Sequence, residues 1–233
     1  MPPKGIYAFL NVLLLCLLAG TLPLPAQTLR GVTAIAANGE HSLALLSDGT
    51  VWGWGFNRNG ELGDGTLTNR AVPVQVKNVS SVVAISPGLA VKADGTVFQW
   101  GTNLGPSGNE IVVNKTPVQV SELSGVVAVS GGSASNLALK ADGTVWAWGI
   151  NWVGELGSGV APQSVALLGR STPVAVSGLT DIVAVAIGCG HSLALRRDGT
   201  VWAWGANNDG MFGDVPPPPP FPERCRTARR RRR

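Results

Sequence analysis

Asp198-Gly199-Thr200-Val201-Trp202-Ala203-Trp204-Gly205 is the last of four copies of one eight-residue phrase. The earlier copies run from Asp48 to Gly55, from Asp94 to Gly101 and from Asp142 to Gly149, with Phe98 and Gln99 as the departures in the second. A phrase that returns about every 50 residues marks one supersecondary unit copied in tandem, each copy too small to bury its own apolar face and therefore stacked on its neighbours.

The phrase has a mechanical sense. Asp-Gly between two apolar runs is a strong hairpin signal, because Gly takes a positive φ without steric cost and Asp hydrogen-bonds the local backbone. Before it stand Ser42–Leu46, Leu137–Lys140 and Ser192–Arg196, which alternate large and small side chains. After it, strand periodicity puts the two aromatics on one face and Val with a small residue on the other. Gly53, Ala147 and Ala203 fill the small position; Gln99 breaks it, so the second unit is expected to pack differently.

Outward from the phrase, the units run 32–81, 82–125, 126–181 and 182–214. Each opens on a β-branched run at Val32, Val82, Val126 or Ile182, and three end on a strand that starts at Pro73, Pro117 or Pro173. Proline there fits an edge or a first-residue position in a sheet. Four short strands per unit with turns at regular spacing predict an all-β fold of propeller blades, about three and a half of them.

The recurring elements resemble the regulator of chromosome condensation repeat: His41-Ser42, Asp-Gly-Thr-Val-Trp-x-Trp-Gly, Asn57, Gly60 to Gly65 and Pro73. The nearest likeness is to the secreted or bacterial branch related to alpha-tubulin suppressor proteins. The resemblance covers residues 32–214 and implies a propeller that normally has seven blades. The second unit departs by lacking the His-Ser stretch and by carrying Asn103–Gly108 in place of the Gly-Glu-Leu-Gly loop. The third has Ser135-Asn136 at the His-Ser position and a long loop from Ser158 to Gly169. An incomplete ring leaves a sheet face uncovered at each end, so self-association through the open ends is expected.

The 233 residues are 45% hydrophobic and 14% charged, with 31 Gly and 16 Pro, enough apolar material for a core and many turns. The net charge of +4 misleads as an average. Residues 27–214 carry ten basic against thirteen acidic side chains, whereas residues 215–233 carry seven Arg against one Glu. Nucleic-acid binding by the body is therefore not indicated, and any such contact is expected only at Arg229–Arg233. Lys4, an apolar run from Ile6 to Ala19, then Pro23, Pro25 and Ala26 read as a signal peptide over residues 1–26, too short to span a bilayer. Export to the periplasm, cell surface or medium follows. The tail, 215–233, reads as a disordered Pro/Arg-rich segment or as out-of-frame translation. A one-base shift can turn Asp214-Val215-Pro216 into the Asp-Gly-Thr that the repeat requires. The alternative is a polyproline II linker ending in a basic clamp.

No catalytic constellation emerges, and no cofactor or metal is expected. His41 and His191 occupy one repeat position, which points to a structural hydrogen bond rather than a base beside a partnered nucleophile. Cys189 and Cys225 are too isolated for zinc but are available to pair where the compartment is oxidising. The strand tryptophans are expected in the core. Asn78 and Asn114 begin glycosylation sequons, which count only in a eukaryotic host.

What remains is the surface. The loops after each Trp-Gly hold a constant Asn and Gly around a changing second position, making Arg58, Trp152 and Asn208 the candidate partner-binding tips. The expectation is a secreted, non-enzymatic protein-interaction module, with cell-surface or polysaccharide binding as the alternative. The resemblance also implies nucleotide exchange on a small GTPase, which the leader places in the wrong compartment. It further implies inhibition of a secreted enzyme such as a β-lactamase.

Overall fold

The computed structural model describes residues 29–159, 169–208 and 210–213. All of the described strands lie in the second of the two units into which the chain divides, Gly31–Arg233. The leader, the tail, Cys225 and most of the loop between Ser158 and Gly169 lie outside the described residues.

Four antiparallel sheets follow one another along the chain. The first holds β1 (Val32–Asn38), β2 (His41–Leu46), β3 (Val51–Gly55) and β4 (Arg70–Gln75). The second holds β5 (Val82–Ser86), β6 (Leu89–Lys92), β7 (Val97–Leu104) and β8 (Ile111–Gln119), and the third β9 (Val126–Gly131), β10 (Ser135–Lys140), β11 (Val145–Ile150) and β12 (Gly169–Ala175). The fourth has three strands among the described residues, β13 (Ile182–Ile187), β14 (His191–Arg196) and β15 (Val201–Gly205). Each sheet is a meander in sequence order. Successive sheets touch chiefly through β1, β5, β9 and β13, so the first strand of every sheet lies on the inner side of an arc of blades. No helix of the described residues is long and apolar enough to cross a membrane.

The repeated phrase builds the hairpin of each blade. Gly49 donates its N–H to Leu46 O at 2.9 Å, and Leu46 donates to Thr50 O at 2.9 Å, leaving Ser47, Asp48 and Gly49 as a three-residue loop. Gly49 sits at φ 78°, the left-handed end that such a loop needs. Asp48 Oδ1 accepts from both Thr50 N and Thr50 Oγ1, at 2.9 and 2.7 Å, and the same pair of bonds recurs at Asp94, Asp142 and Asp198. All four are turn residues, with carboxyls held below the ordinary range by the Thr hydroxyl and then the Thr amide.

Alternation gives each hairpin two faces, as the phrase predicts. Leu43, Leu45 and Val51 of the first blade cluster with Val82, Ala90 and Trp100 of the second. Leu89, Val91 and Val97 repeat this against Val126, Ala138 and Trp148, and Leu137, Leu139 and Val145 against Ile182 and Ala194, with Trp204 partly buried. The Leu/Val face of one blade thus meets the Trp face of the next. Full burial of each such aliphatic side chain is worth roughly 1.5–3 kcal/mol, so the junctions are where most of the stabilisation lies.

The tryptophans divide rather than all entering the core. Trp100 and Trp148, second of their pairs, are buried at junctions, where β7–β8 and β11–β12 shift register beside them. The first aromatic of a pair is less buried: Trp146, half-buried, packs against the second junction cluster, and Trp202 is exposed. Each meets a cation from the preceding strand, Lys140 Nζ 5.5 Å from the Trp146 ring and Arg196 5.0 Å from that of Trp202.

Candidate interaction surface

Because every sheet is a meander, the loop after its third strand lies at the same end as the turn between its first two strands. One face of the arc therefore gathers the loops that follow β3, β7, β11 and β15. Beside their inner ends lies a concavity of about 310 Å³ lined by small residues such as Ala37, Pro87, Gly132 and Gly188.

The first of these loops is built around Asn57, which is fully buried. Its Nδ2 donates to Asp64 Oδ1 at 3.1 Å and to the carbonyls of Thr66 and Thr68 at 3.2 and 3.1 Å, while its Oδ1 accepts Leu62 N at 2.9 Å. Asp64 also takes Thr66 Oγ1 at 2.7 Å and Arg70 Nε at 3.0 Å. Burial pulls the Asp64 carboxyl up, but the bonds from Thr66, Arg70 and Asn57 outweigh it and hold the group below its ordinary value. Asn151 Oδ1 accepts Leu156 N at 3.1 Å and Asn207 Oδ1 accepts Phe212 N at 3.0 Å, so three loops share one internal brace. Glu61 caps the tip through Asn59 N at 2.9 Å, and Glu155 does so through Val153 N at 2.8 Å.

The structure places Arg58, Trp152 and Asn208 immediately after those bracing asparagines, all three exposed, Trp152 by 63%. They stand in separate blades at equivalent positions of one face, as a row of tips rather than a cluster. Val153 extends the apolar tip at Trp152.

Sequence reasoning missed a second duty of these loops. Trp100 Nε1 donates to Glu61 O at 2.7 Å, and Trp204 Nε1 donates to Glu155 O at 2.7 Å, so each loop anchors the indole of the next blade. Trp148 has no such loop to meet, and its Nε1 donates to Gln99 Oε1 at 2.7 Å instead. Gln99 does make the second blade pack differently, and it does so by replacing a lost backbone acceptor.

The histidines correct an expectation. His41 Nε2 and His191 Nδ1 are buried without a hydrogen-bond partner, so those nitrogens do not make the structural bond expected of them. Burial lowers the pKa of His41 against the opposing pull of the Glu61 carboxylate. The neighbouring Ser192 Oγ is committed to Glu155 O at 3.0 Å. Cys189 is disulfide-bonded. Its partner cysteine lies outside the described residues. Among the described residues no group of three or more His, Cys, Asp or Glu side chains is placed to hold a metal ion.

Stacked four-stranded meanders around a common inner edge define a β-propeller protein. Models of the regulator of chromosome condensation (RCC1) repeat match residues 32–61 and 182–210, and residues 48–89 and 142–195, together more than half of the chain. The chain belongs to that family. It is 31% identical over 208 residues to the ultraviolet-B receptor UVR8 of Arabidopsis thaliana, covering 82% of this chain and 46% of the receptor. It is 33% identical over 222 residues to the probable E3 ubiquitin-protein ligase HERC6 of Homo sapiens, covering 85% of this chain and 21% of the ligase. Among solved structures, human WBSCR16 superposes with a TM-score of 0.65 at 26% identity, covering 79% of this chain and 50% of that one. Prp20p of Saccharomyces cerevisiae, described with its binding to Gsp1p and histones, gives 0.63 at 28% identity, covering 76% and 45%. The chain spans half or less of the length of each of these relatives.

Proposed function

We propose that this chain is an exported, non-enzymatic protein-interaction module that meets its partner with the loop face, through Arg58, Trp152 and Asn208. The observation that carries this reading is the brace. Asn57, Asn151 and Asn207 hold three loops in one form, and the residue after each is exposed and chemically different. Variable side chains on a rigid frame give specificity without an ordering cost at each contact. The binding of Gsp1p and histones by yeast Prp20p supports protein partners as the class. The leader supports export.

A photo-crosslinking residue at position 58 or 208 should capture one protein species from the extracellular or periplasmic fraction. Trp152→Ala should weaken that complex roughly 30-fold, equivalent to about 2 kcal/mol. Capture that is diffuse, or indifferent to Trp152→Ala, overturns the reading. The exposed indole of Trp152 also favours polysaccharide binding as a second reading. Retention on glycan or cell-wall beads that Trp152→Ala abolishes would establish it instead. Titration against purified β-lactamases tests the narrower role of an enzyme inhibitor.

A further inference from the structure

The tripeptide Asn-Gly-Glu occurs twice in blade 1, as Asn38-Gly39-Glu40 between β1 and β2 and as Asn59-Gly60-Glu61 in the braced loop. Asn before Gly is where a chain cyclises on itself most readily, because the missing side chain lets the next amide nitrogen reach the Asn carboxamide carbon. By sequence the two copies are equally open to this reaction. The fold treats them in opposite ways.

In the braced loop the reacting groups are occupied. Asn59 Nδ2 donates to Glu61 Oε1 at 2.8 Å, and Gly60 N donates to Asn57 O at 3.2 Å. Gly60 is buried, and a Cβ on it would lie 3.0 Å from Asn114 O of the second blade. The Asp-Gly turns are closed too. The N–H of Gly49, Gly95, Gly143 and Gly199 donates to the carbonyl three residues back at 2.9 or 3.0 Å. The Thr hydroxyl and then the Thr amide keep each of those carboxylates ionised, and so a poor electrophile.

At the turn between β1 and β2 nothing is occupied. Asn38, Gly39 and Glu40 are exposed, and a Cβ on Gly39 would meet nothing within 4 Å. Among the described residues neither the Asn38 carboxamide nor the Gly39 N–H makes a hydrogen bond. This exposure does not come from the place of blade 1 at the end of the arc. Ser133 and Ala134, at the same turn of blade 3 with a blade on either side, are exposed as well.

We propose that Asn38 is a site of spontaneous deamidation, a covalent modification of the turn beside the concavity of the loop face. Gly39 N, its proton taken by hydroxide, attacks Asn38 Cγ. The new C–N bond closes a succinimide, and Nδ2 takes a proton from water and leaves as ammonia. Water then adds to one of the two ring carbonyls and breaks that carbon's bond to Gly39 N. Breaking the bond to Cγ gives aspartate; breaking the bond to the backbone carbonyl carbon gives isoaspartate. Either product ionises, so a neutral side chain that lines the concavity becomes a carboxylate beside Glu40. Isoaspartate also adds an atom to the main chain inside the pair Asn38–His41, which closes the hairpin. Phe56 N donates to Glu40 O at 2.9 Å, so that distortion reaches the residue next to the Asn57 brace.

Incubation of the purified chain in warm, mildly alkaline buffer tests this, with peptide mapping by mass spectrometry and isoaspartyl methyltransferase as the probe for the isomerised product. Asn38 should convert at least roughly fivefold faster than Asn59, which must first give up its bond to Glu61 and that of Gly60 to Asn57. In urea, where the fold is gone, the two copies should convert at about the same rate, which separates the effect of structure from that of sequence. Asn38→Gln, whose ring would need one more atom, should abolish the reaction there and leave the rate at Asn59 unchanged. The isoaspartyl form should lose exchange protection at the Phe56 amide, whereas Asn38→Asp, which adds only the charge, should keep it. Equal rates in the folded chain, faster conversion of Asn59, or an Asn38 that stays intact when folded yet reacts in urea would each overturn the proposal. Phe56 protection retained in the isoaspartyl form would overturn the link to the brace.

Discussion

Blade 2 and its neighbours solve one problem with different atoms. In blades 1 and 3 a braced loop turns the carbonyl of Glu61 or Glu155 towards the next blade, where a Trp indole needs an acceptor. Blade 2 has no such loop. Its β7 and β8 run on as a hairpin closed by Gly105 N to Glu110 O at 3.0 Å, which leaves the Trp148 indole without a backbone acceptor. Gln99, in the strand position that is Gly53 or Ala147 elsewhere, supplies a side-chain oxygen at the same 2.7 Å. What recurs at these junctions is therefore the satisfied indole N–H, not the loop. The selection is physical, since an indole donor buried without a partner costs about 1–3 kcal/mol.

The largest effect expected from breaking this comparison is at the brace. Asn57→Ala removes the buried partner of Leu62 N and of Asp64, and should cost about 3 kcal/mol or more in chemical denaturation. Asn103→Ala, at the matching place in blade 2, loses one bond to Gly101 O and should cost no more than ~0.5 kcal/mol. Equal losses would mean that the braced loop is not what holds blade 1.

The next effect is at the acceptor. Gln99→Leu should destabilise by about 1–3 kcal/mol, by leaving the Trp148 indole unpaired in a buried site. With Trp148→Phe already in place the same substitution should cost markedly less, a coupling of about 0.5–3 kcal/mol that a double-mutant cycle reads directly. Additive losses would show that Gln99 acts through packing alone.

A smaller contrast separates blades 1 and 3 by pH. Burial holds the folded-state pKa of His41 below 6.5, so the unfolded chain binds more protons as pH falls through that value, and blade 1 loses stability on acidification. Burial raises Glu155 above its ordinary 4.5, so its contribution is present below that pH and is lost as pH rises through the folded value. The protection factors of amides in β2 and β3, exchange rates corrected for intrinsic pH dependence, should therefore fall as the medium is taken from neutral to mildly acidic, across the ordinary His value of about 6.5, and His41→Gln should flatten that response. An unchanged profile in the variant would assign the pH response to other groups.

The smallest effect is expected at the loop tip. Trp152→Ala should leave the melting transition within the ~0.5 kcal/mol typical of surface positions, because that side chain is mostly exposed.

Much of this molecule was legible in its residues. The repeated Asp-Gly-Thr-Val-Trp phrase specified the hairpins, their two faces and the stacking of blades, since turn chemistry and strand alternation act over a few residues. The departure at Gln99 was visible as well. The loop tips could be picked out as changing residues on a constant frame, and the structure places them in a row because a meander puts every such loop at one end. Hidden from the sequence were the contacts between units. Glu61 and Glu155 act through their carbonyls, which any residue possesses, so their role as acceptors left no side-chain signature. The unpartnered nitrogens of His41 and His191, and the unequal burial of the tryptophans, likewise depend on how far one blade overlaps the next. Local sequence determined the blade; the docking of blade on blade, where an indole meets its acceptor across some 40 to 50 residues, was decided only in the tertiary structure.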